Sequence, residues 1–313
     1  MAAAGRVLVT PRSLTAAGLD AVRELEPLRR AGWQLVPGPA GRVPTEAELL
    51  DLVPGCAGWL AGVEPVSARV LAAASGLRVI SRNGAGTDAI DLDAARLAGV
   101  AVERAPGANA QGVAELALTL ALAALRHVPW SSAALHEGAW RRWQGRELAE
   151  VTVGVVGLGA IGGRVAGTFA ALGAAVLAHD PFAGAGAPEG VRLAPLEELL
   201  RASDVITLHC PPPADGRPLV GAAELAGVAR GAVLVNTARA ALVDDDAVLA
   251  ALEAGALSAY AVDAFETEPP GPSALLRHER VIATPHVGGY TGASVSRATQ
   301  RAVEALLTHL APR

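Results

Sequence analysis

The chain has 313 residues, of which 51% are hydrophobic and 18% charged, and its formal net charge is −5. That is enough apolar chain for two domains with sizeable cores, so intrinsic disorder is excluded. A mildly acidic sequence without blocks of like charge also speaks against nucleic acid or an anionic membrane surface as partner.

All 26 cationic residues are arginine. The lysine-dependent chemistries, namely a P-loop, a Schiff base and pyridoxal phosphate attachment, are therefore excluded. Cys56 and Cys210 stand far apart and join no Cys/His ligand pattern, so neither a disulfide framework nor a metal site is expected. The apolar stretch at the N-terminus is too short for a secretory signal. The most apolar helix candidate, 113–125, is short for a membrane span and carries Glu115. A soluble, cytoplasmic protein is expected.

Short β-rich runs alternate with Ala/Leu-rich stretches along the chain. The first series predicts strands over 7–10, 33–36, 58–61, 77–81 and 100–103, with helices over 16–26, 46–53 and 92–98 between them. Such alternation means βαβ units and a parallel sheet. Pro106-Gly107 breaks the pattern, and a long apolar helix over about 110–126 follows. A second series predicts six strands, over 151–156, 175–178, 205–208, 232–235, 259–262 and 281–283, a complete dinucleotide-binding sheet. The last helix, over 294–310, is placed to return to the first domain. The expected fold is α/β: two doubly wound parallel-sheet domains, with a Rossmann cofactor domain (104–284) inserted into a flavodoxin-like substrate domain (1–103 and 285–313).

The strand over 151–156 runs into Gly157-Leu158-Gly159-Ala160-Ile161-Gly162 at the start of a helix. The first glycine permits the tight turn, the second lets a pyrophosphate approach the backbone, and the third lets helix and strand pack closely. Alone this spacing is weak; the flanking strand and helix, with Asp180 about 20 residues on, make it specific. A carboxylate there accepts both ribose hydroxyls and repels a 2′-phosphate, and 179–182 offers no arginine to hold one. NAD is favoured over NADP.

Three later segments belong together: Val235-Asn236-Thr237-Ala238-Arg239, Asp263-Ala264-Phe265-Glu266-Thr267-Glu268-Pro269, and Thr284-Pro285-His286-Val287-Gly288-Gly289. With Arg82-Asn83-Gly84-Ala85-Gly86-Thr87-Asp88 and Asn109 to Glu115, they make the chain resemble the D-isomer-specific 2-hydroxyacid dehydrogenases, the family that includes phosphoglycerate, glycerate and D-lactate dehydrogenases. The resemblance implies that Arg239 binds the substrate carboxylate and 2-oxo group, that His286 is the acid/base, and that Glu268 hydrogen-bonds to it. It further implies that Gly157, Gly159, Ala160, Ile161, Gly162, Asp180, Cys210, Thr237, Ala238, Asp263, His286, Gly288 and Gly289 line NAD. Asp263 is expected on the nicotinamide side. Arg82, Asn83, Gly84, Ala85 and Gly86 are expected at the substrate, the last three through backbone N–H groups.

The residue types suit that chemistry. Oxidising a carbinol needs a base for the hydroxyl proton, and the reverse reaction needs an acid for the developing alkoxide. Histidine serves both directions near neutral pH. Arginine's planar fork matches the carboxylate-plus-carbonyl edge of a 2-oxo acid. Glycine after the catalytic arginine is usual in relatives, whereas this chain has Ala240; Ala259-Tyr260-Ala261 and Ala264 also depart from commoner versions. With the sequence ending at Arg313, the C-terminal regulatory domains of some phosphoglycerate dehydrogenases are expected to be absent.

Rivals are a dinucleotide-sensing regulator or corepressor on the same fold, and 3-phosphoglycerate dehydrogenase itself. Formate dehydrogenases pair the histidine with glutamine, and phosphite-oxidising relatives need a lysine this chain lacks. The loop at 60–65 carries no cation, and Glu64 is expected to face any substrate phosphate, so a small unphosphorylated acid is preferred. Homodimerisation is expected because one protomer would struggle to cover the helix at 110–126 together with Trp130, Trp140 and Trp143.

Overall fold

The computed structural model describes residues 5–183 and 186–311; the extreme ends of the domain expected over 1–103 and 285–313 lie outside the described residues. The chain divides into two compact units, 1–109 with 291–313, and 110–290.

The first unit is built on a parallel sheet of β1 (Gly5–Val9), β2 (Trp33–Pro37), β3 (Cys56–Ala61), β4 (Val79–Arg82) and β5 (Ala101–Glu103). Its strand order is β2-β1-β3-β4-β5, the flavodoxin-like arrangement. Alternation along each strand feeds two cores. Leu8, Trp59 and Ile80 pack with Leu49, Val70 and Leu71 on one face. Val7, Val9, Leu60 and Val79 pack with Leu28 and with Ala302, Val303 and Leu306 on the other. The last three belong to the Gly292–Leu310 helix, so the C-terminal segment completes the N-terminal unit.

The helix expected over 16–26 does not form. Short turns at Leu19–Ala21 and Arg23–Leu25 replace it, and a helix begins only at Glu26–Arg30. Gly18 takes φ +83, which ends any helical path, and Pro27 is accommodated in a first turn.

The second unit holds β6 (Thr152–Val156), β7 (Ala175–His179), β8 (Val191–Leu193), β9 (Val205–Leu208), β10 (Ala232–Asn236), β11 (Leu257–Val262) and β12 (Val281–Ala283). The order is β12-β11-β10-β9-β6-β7-β8, parallel throughout. Seven strands form where six are expected. The additional one, β8, is a three-residue edge strand with two exposed residues, too short and polar to carry a strand pattern.

The Ala110–Leu125 helix buries nine of its residues. Ala117, Leu120 and Ala121 pack with Val155, Val235 and Ala261 of the sheet. The expectation that one protomer leaves this helix uncovered is thus corrected: its own unit covers it. Exposed apolar groups include Val128, Leu135 and Trp140, just beyond this helix. No single helix among the described residues is long and apolar enough to cross a membrane.

Candidate active site

The strand order of the second unit reverses between β6 and β9, and the glycine loop leaves the carboxyl end of β6 at that point. Gly157 takes φ +93 and donates its N–H to the His179 carbonyl (2.7 Å). A Cβ at Gly157 would lie 2.7 Å from the His209 carbonyl oxygen, and one at Gly162 would overlap the Gly157 carbonyl. A Cβ at Gly159 would meet nothing within 4 Å. The outer two glycines are therefore demanded by the fold, whereas the backbone at the middle one faces open space. Ala160 and Ile161 complete the turn into the Gly162–Ala171 helix, Ile161 as its N-cap.

Asp180 follows β7. Its Oδ2 accepts the Leu158 N–H and its Oδ1 the Phe182 N–H, both at 2.8 Å. An ionised carboxylate has roughly four lone-pair directions, so two remain for the hydroxyls of a ribose. The free approach at Gly159, the helix N-terminus behind it and the half-exposed Asp180 together fit a dinucleotide.

His209 and Cys210 follow β9 along the same edge. The His209 Nε2 lies 2.8 Å from the Thr207 hydroxyl, while its Nδ1 is buried with no hydrogen-bond partner among the described residues. Burial pushes this imidazole down to about 3 and also raises the Cys210 thiol. Beyond β10, the Thr237 hydroxyl is likewise buried and unpartnered, the kind of group that a bound molecule or water satisfies. The fully buried Asn236 shapes the next turn: its Oδ1 accepts the Ala238 N–H (3.1 Å) and its Nδ2 donates to the Arg239 carbonyl (2.9 Å). The Arg239 Nη1 donates to the Ala238 carbonyl (2.8 Å).

The His286 Nδ1 lies 2.6 Å from the Glu268 Oε1, and each side chain is a little under half exposed. His286 has φ +53, a left-handed conformation that a non-glycine residue keeps only when its surroundings hold it there. Asp263, 2% exposed, supplies the hold. Its Oδ1 accepts the Thr284 hydroxyl (2.6 Å) and the Val287 N–H (2.8 Å), and its Oδ2 accepts the Gly288 N–H (2.8 Å). Both of its oxygens thus engage the histidine loop, a tie the motif alone did not disclose. A Cβ at Gly288 would lie 3.0 Å from the Asp263 Oδ2, so the loop closes tightly on the carboxylate; Gly289 continues the turn toward Tyr290.

In the first unit, Arg82 ends β4 and the loop 83–86 follows. Asn83 donates its N–H to the Ala61 carbonyl (2.8 Å) and accepts the Thr299 hydroxyl at Oδ1 (3.2 Å). The Gly84 N–H donates to the Arg82 carbonyl (2.8 Å). The expected Gly84 donor is therefore engaged within the chain, because the backbone makes a tight three-residue turn there. Ala85 and Gly86 continue the loop.

Glu64 also departs from expectation. It does not face outward but is 2% exposed, bonded through Oε1 to the Thr10 hydroxyl and to the Gly62 N–H (2.8 Å). A buried carboxylate needs such donors, and the turn after β3 provides them.

The residues that sequence reasoning missed are Asn236 and Thr284. Each is a polar residue at or just past the carboxyl end of an apolar strand, and that position was the available signal.

A parallel sheet with a glycine turn at its switch point, and with Arg239, Glu268 and His286 on segments that follow its strands, is of the dinucleotide-binding class. Residues 118–288 match the model of the D-isomer specific 2-hydroxyacid dehydrogenase, NAD binding domain. The chain is 40% identical over 273 residues to the D-3-phosphoglycerate dehydrogenase of Mycobacterium tuberculosis, a match covering 86% of this chain and 52% of that protein. This chain thus spans about half the length of that relative. Among solved structures, the TT0316 protein of Thermus thermophilus aligns with TM-score 0.87 and 36% identity, over 97% of this chain and 96% of that one. The D-lactate dehydrogenase of Aquifex aeolicus, complexed with NAD and lactic acid, aligns with TM-score 0.78 and 26% identity, over 96% and 94%. The chain belongs to the D-isomer specific 2-hydroxyacid dehydrogenase family.

Proposed function

We propose that this chain is an NAD-dependent oxidoreductase interconverting a small D-2-hydroxy acid and its 2-oxo acid. In this proposal 104–284 bind the cofactor, and 1–103 with 285–313 bind the substrate. The observation that carries it is the 2.6 Å pairing of the His286 Nδ1 with Glu268 on a loop clamped by Asp263. With Nδ1 directed at the carboxylate, Nε2 is the nitrogen that exchanges a proton with substrate. In the oxidative direction Nε2 takes the hydroxyl proton, and Glu268 steadies the imidazolium that forms. In the reductive direction the same nitrogen returns a proton to the developing alkoxide.

Gly157 to Gly162, Asp180, Cys210, Thr237 and Ala238 would hold NAD, whose nicotinamide supplies the hydride acceptor or donor. Arg239 binds the carboxylate and polarises the 2-oxo group. Ala85 and Gly86 carry the backbone N–H groups offered to the carboxylate, and Arg82 stands beside them. Asp180 selects NAD over NADP.

The wild-type protein should oxidise NADH, followed at 340 nm, with glyoxylate, hydroxypyruvate or pyruvate-like acids. No turnover with any 2-oxo acid would contradict the proposal and favour the sensing regulator. A second reading, 3-phosphoglycerate dehydrogenase, is supported by the name of the Mycobacterium tuberculosis relative. It is separated by comparing 3-phosphohydroxypyruvate with hydroxypyruvate. A homodimer belongs to the same proposal, supported by the exposure of Val128, Leu135 and Trp140; a monomeric mass by light scattering at micromolar concentration would contradict it.

A further inference from the structure

In open α/β sheets ligands bind outside the carboxyl ends of the strands, where the strand order reverses. In the five-stranded sheet that point lies between β1 and β3, and Thr10 and Gly62 follow those two strands directly. Two donors at this place meet one side-chain acceptor inside the chain. The Thr10 hydroxyl and the Gly62 N–H (2.8 Å) both donate to the Glu64 Oε1. The Trp59 Nε1 donates to the Thr10 oxygen (2.9 Å), whose own proton has the Leu60 carbonyl (3.2 Å) as a second acceptor beside the carboxylate. The other carboxylate oxygen lies over Gly62, where a Cβ would approach Oε2 to 2.6 Å and Pro11 Cα to 3.0 Å. Glu64, Thr10 and Trp59 are all buried.

The edge next to it carries the loop 83–86, tied to β3 by the bond from the Asn83 N–H to the Ala61 carbonyl (2.8 Å). A substrate seated on that loop has the Glu64 network one strand away.

We propose that the Glu64 carboxylate is a built-in anion that fills the switch point of this sheet, so that the chain selects 2-oxo acids lacking a second anionic group. The inference rests on the proposed dehydrogenase reading and names its substrate class. The discrimination does not come from an exposed repelling charge. A phosphate would find the local O–H and N–H donors already bonded to an anion, and could gain them only by displacing a buried carboxylate.

The experiment measures kcat/KM for 3-phosphohydroxypyruvate and for hydroxypyruvate on the same preparations of the wild-type protein, Glu64→Ser and Glu64→Gln. A ratio taken within one preparation is insensitive to loss of active protein. The wild-type ratio of phosphorylated to unphosphorylated acid should lie below unity. Glu64→Ser should raise it by about tenfold or more, and Glu64→Gln, which keeps the shape and removes the charge, by less. A ratio unchanged in Glu64→Ser, or a wild-type ratio above about ten, overturns the assignment. Should both variants fail to fold, inorganic phosphate decides on the wild-type protein. Absence of competition with hydroxypyruvate supports the assignment, and tight competitive inhibition overturns it. Turnover of hydroxypyruvate with an unmoved ratio refutes the Glu64 role alone, whereas no turnover of either acid refutes the dehydrogenase reading as well.

Discussion

One buried carboxylate, far from His286 along the chain, decides how the histidine loop sits. Asp263 ties Thr284, Val287 and Gly288, and so brackets the histidine from both sides. The left-handed backbone at His286 costs on the order of 1–2 kcal/mol, and three hydrogen bonds to a buried carboxylate offset a penalty of that size. A second histidine obeys the opposite logic. Burial pushes His209 down to about 3 from an ordinary 6.5. Between those values the unfolded chain binds a proton that the folded chain does not, so stability rises with pH across that window. Keeping His209 neutral costs nothing above 6.5 and progressively more as pH falls toward 3. His209→Gln should therefore flatten the pH dependence of the urea-unfolding midpoint between pH 6.5 and the acid limit. An unaltered slope would show that His209 titrates alike in both states.

At the scale of elements, the turn from β6 into the Gly162–Ala171 helix separates structural from ligand-directed glycines. Gly162→Ala forces a methyl into the Gly157 carbonyl and should destabilise the protein by about 1–3 kcal/mol. Gly159→Ala places its methyl in open space, so stability should change by less than about 0.5 kcal/mol while NADH binding weakens. Thermal unfolding with a fluorescence titration of NADH checks both; equal stability losses would mean that neither glycine is special.

This turn was fully legible in the sequence, because strand, glycines and acid follow one another locally. The same holds for β9 and β12, whose apolar runs coincide with the strands formed. The stretch 16–26 was misread because its Ala/Leu content suits a helix, while Gly18 breaks the helical path and Pro27 suits a helix that starts only at Glu26. β8 escaped because edge pairing needs little apolar pattern. The Asp263 clamp and the burial of Glu64 depend on which chain segments meet in space, and spacing along the chain carries no trace of that.

At the scale of the molecule there are two parallel sheets, one followed by the glycine turn and Asp180, the other by the loop 82–86 and the Glu64 network. In the proposed function, cofactor choice belongs to the first. The Asp180 carboxylate, fixed by the Leu158 and Phe182 N–H groups, should make kcat/KM for NADH exceed that for NADPH, and Asp180→Ala should narrow the gap. Equal values in the wild-type protein would contradict this. The central claim, that a proton moves through the His286 Nε2 with Glu268 behind it, is tested most directly by the turnover of His286→Ala with NADH and the best 2-oxo acid. The variant should lose about 10²–10⁴ in kcat while its NADH affinity by fluorescence stays within about twofold of the wild-type value. A variant turning over at the wild-type rate would contradict the account.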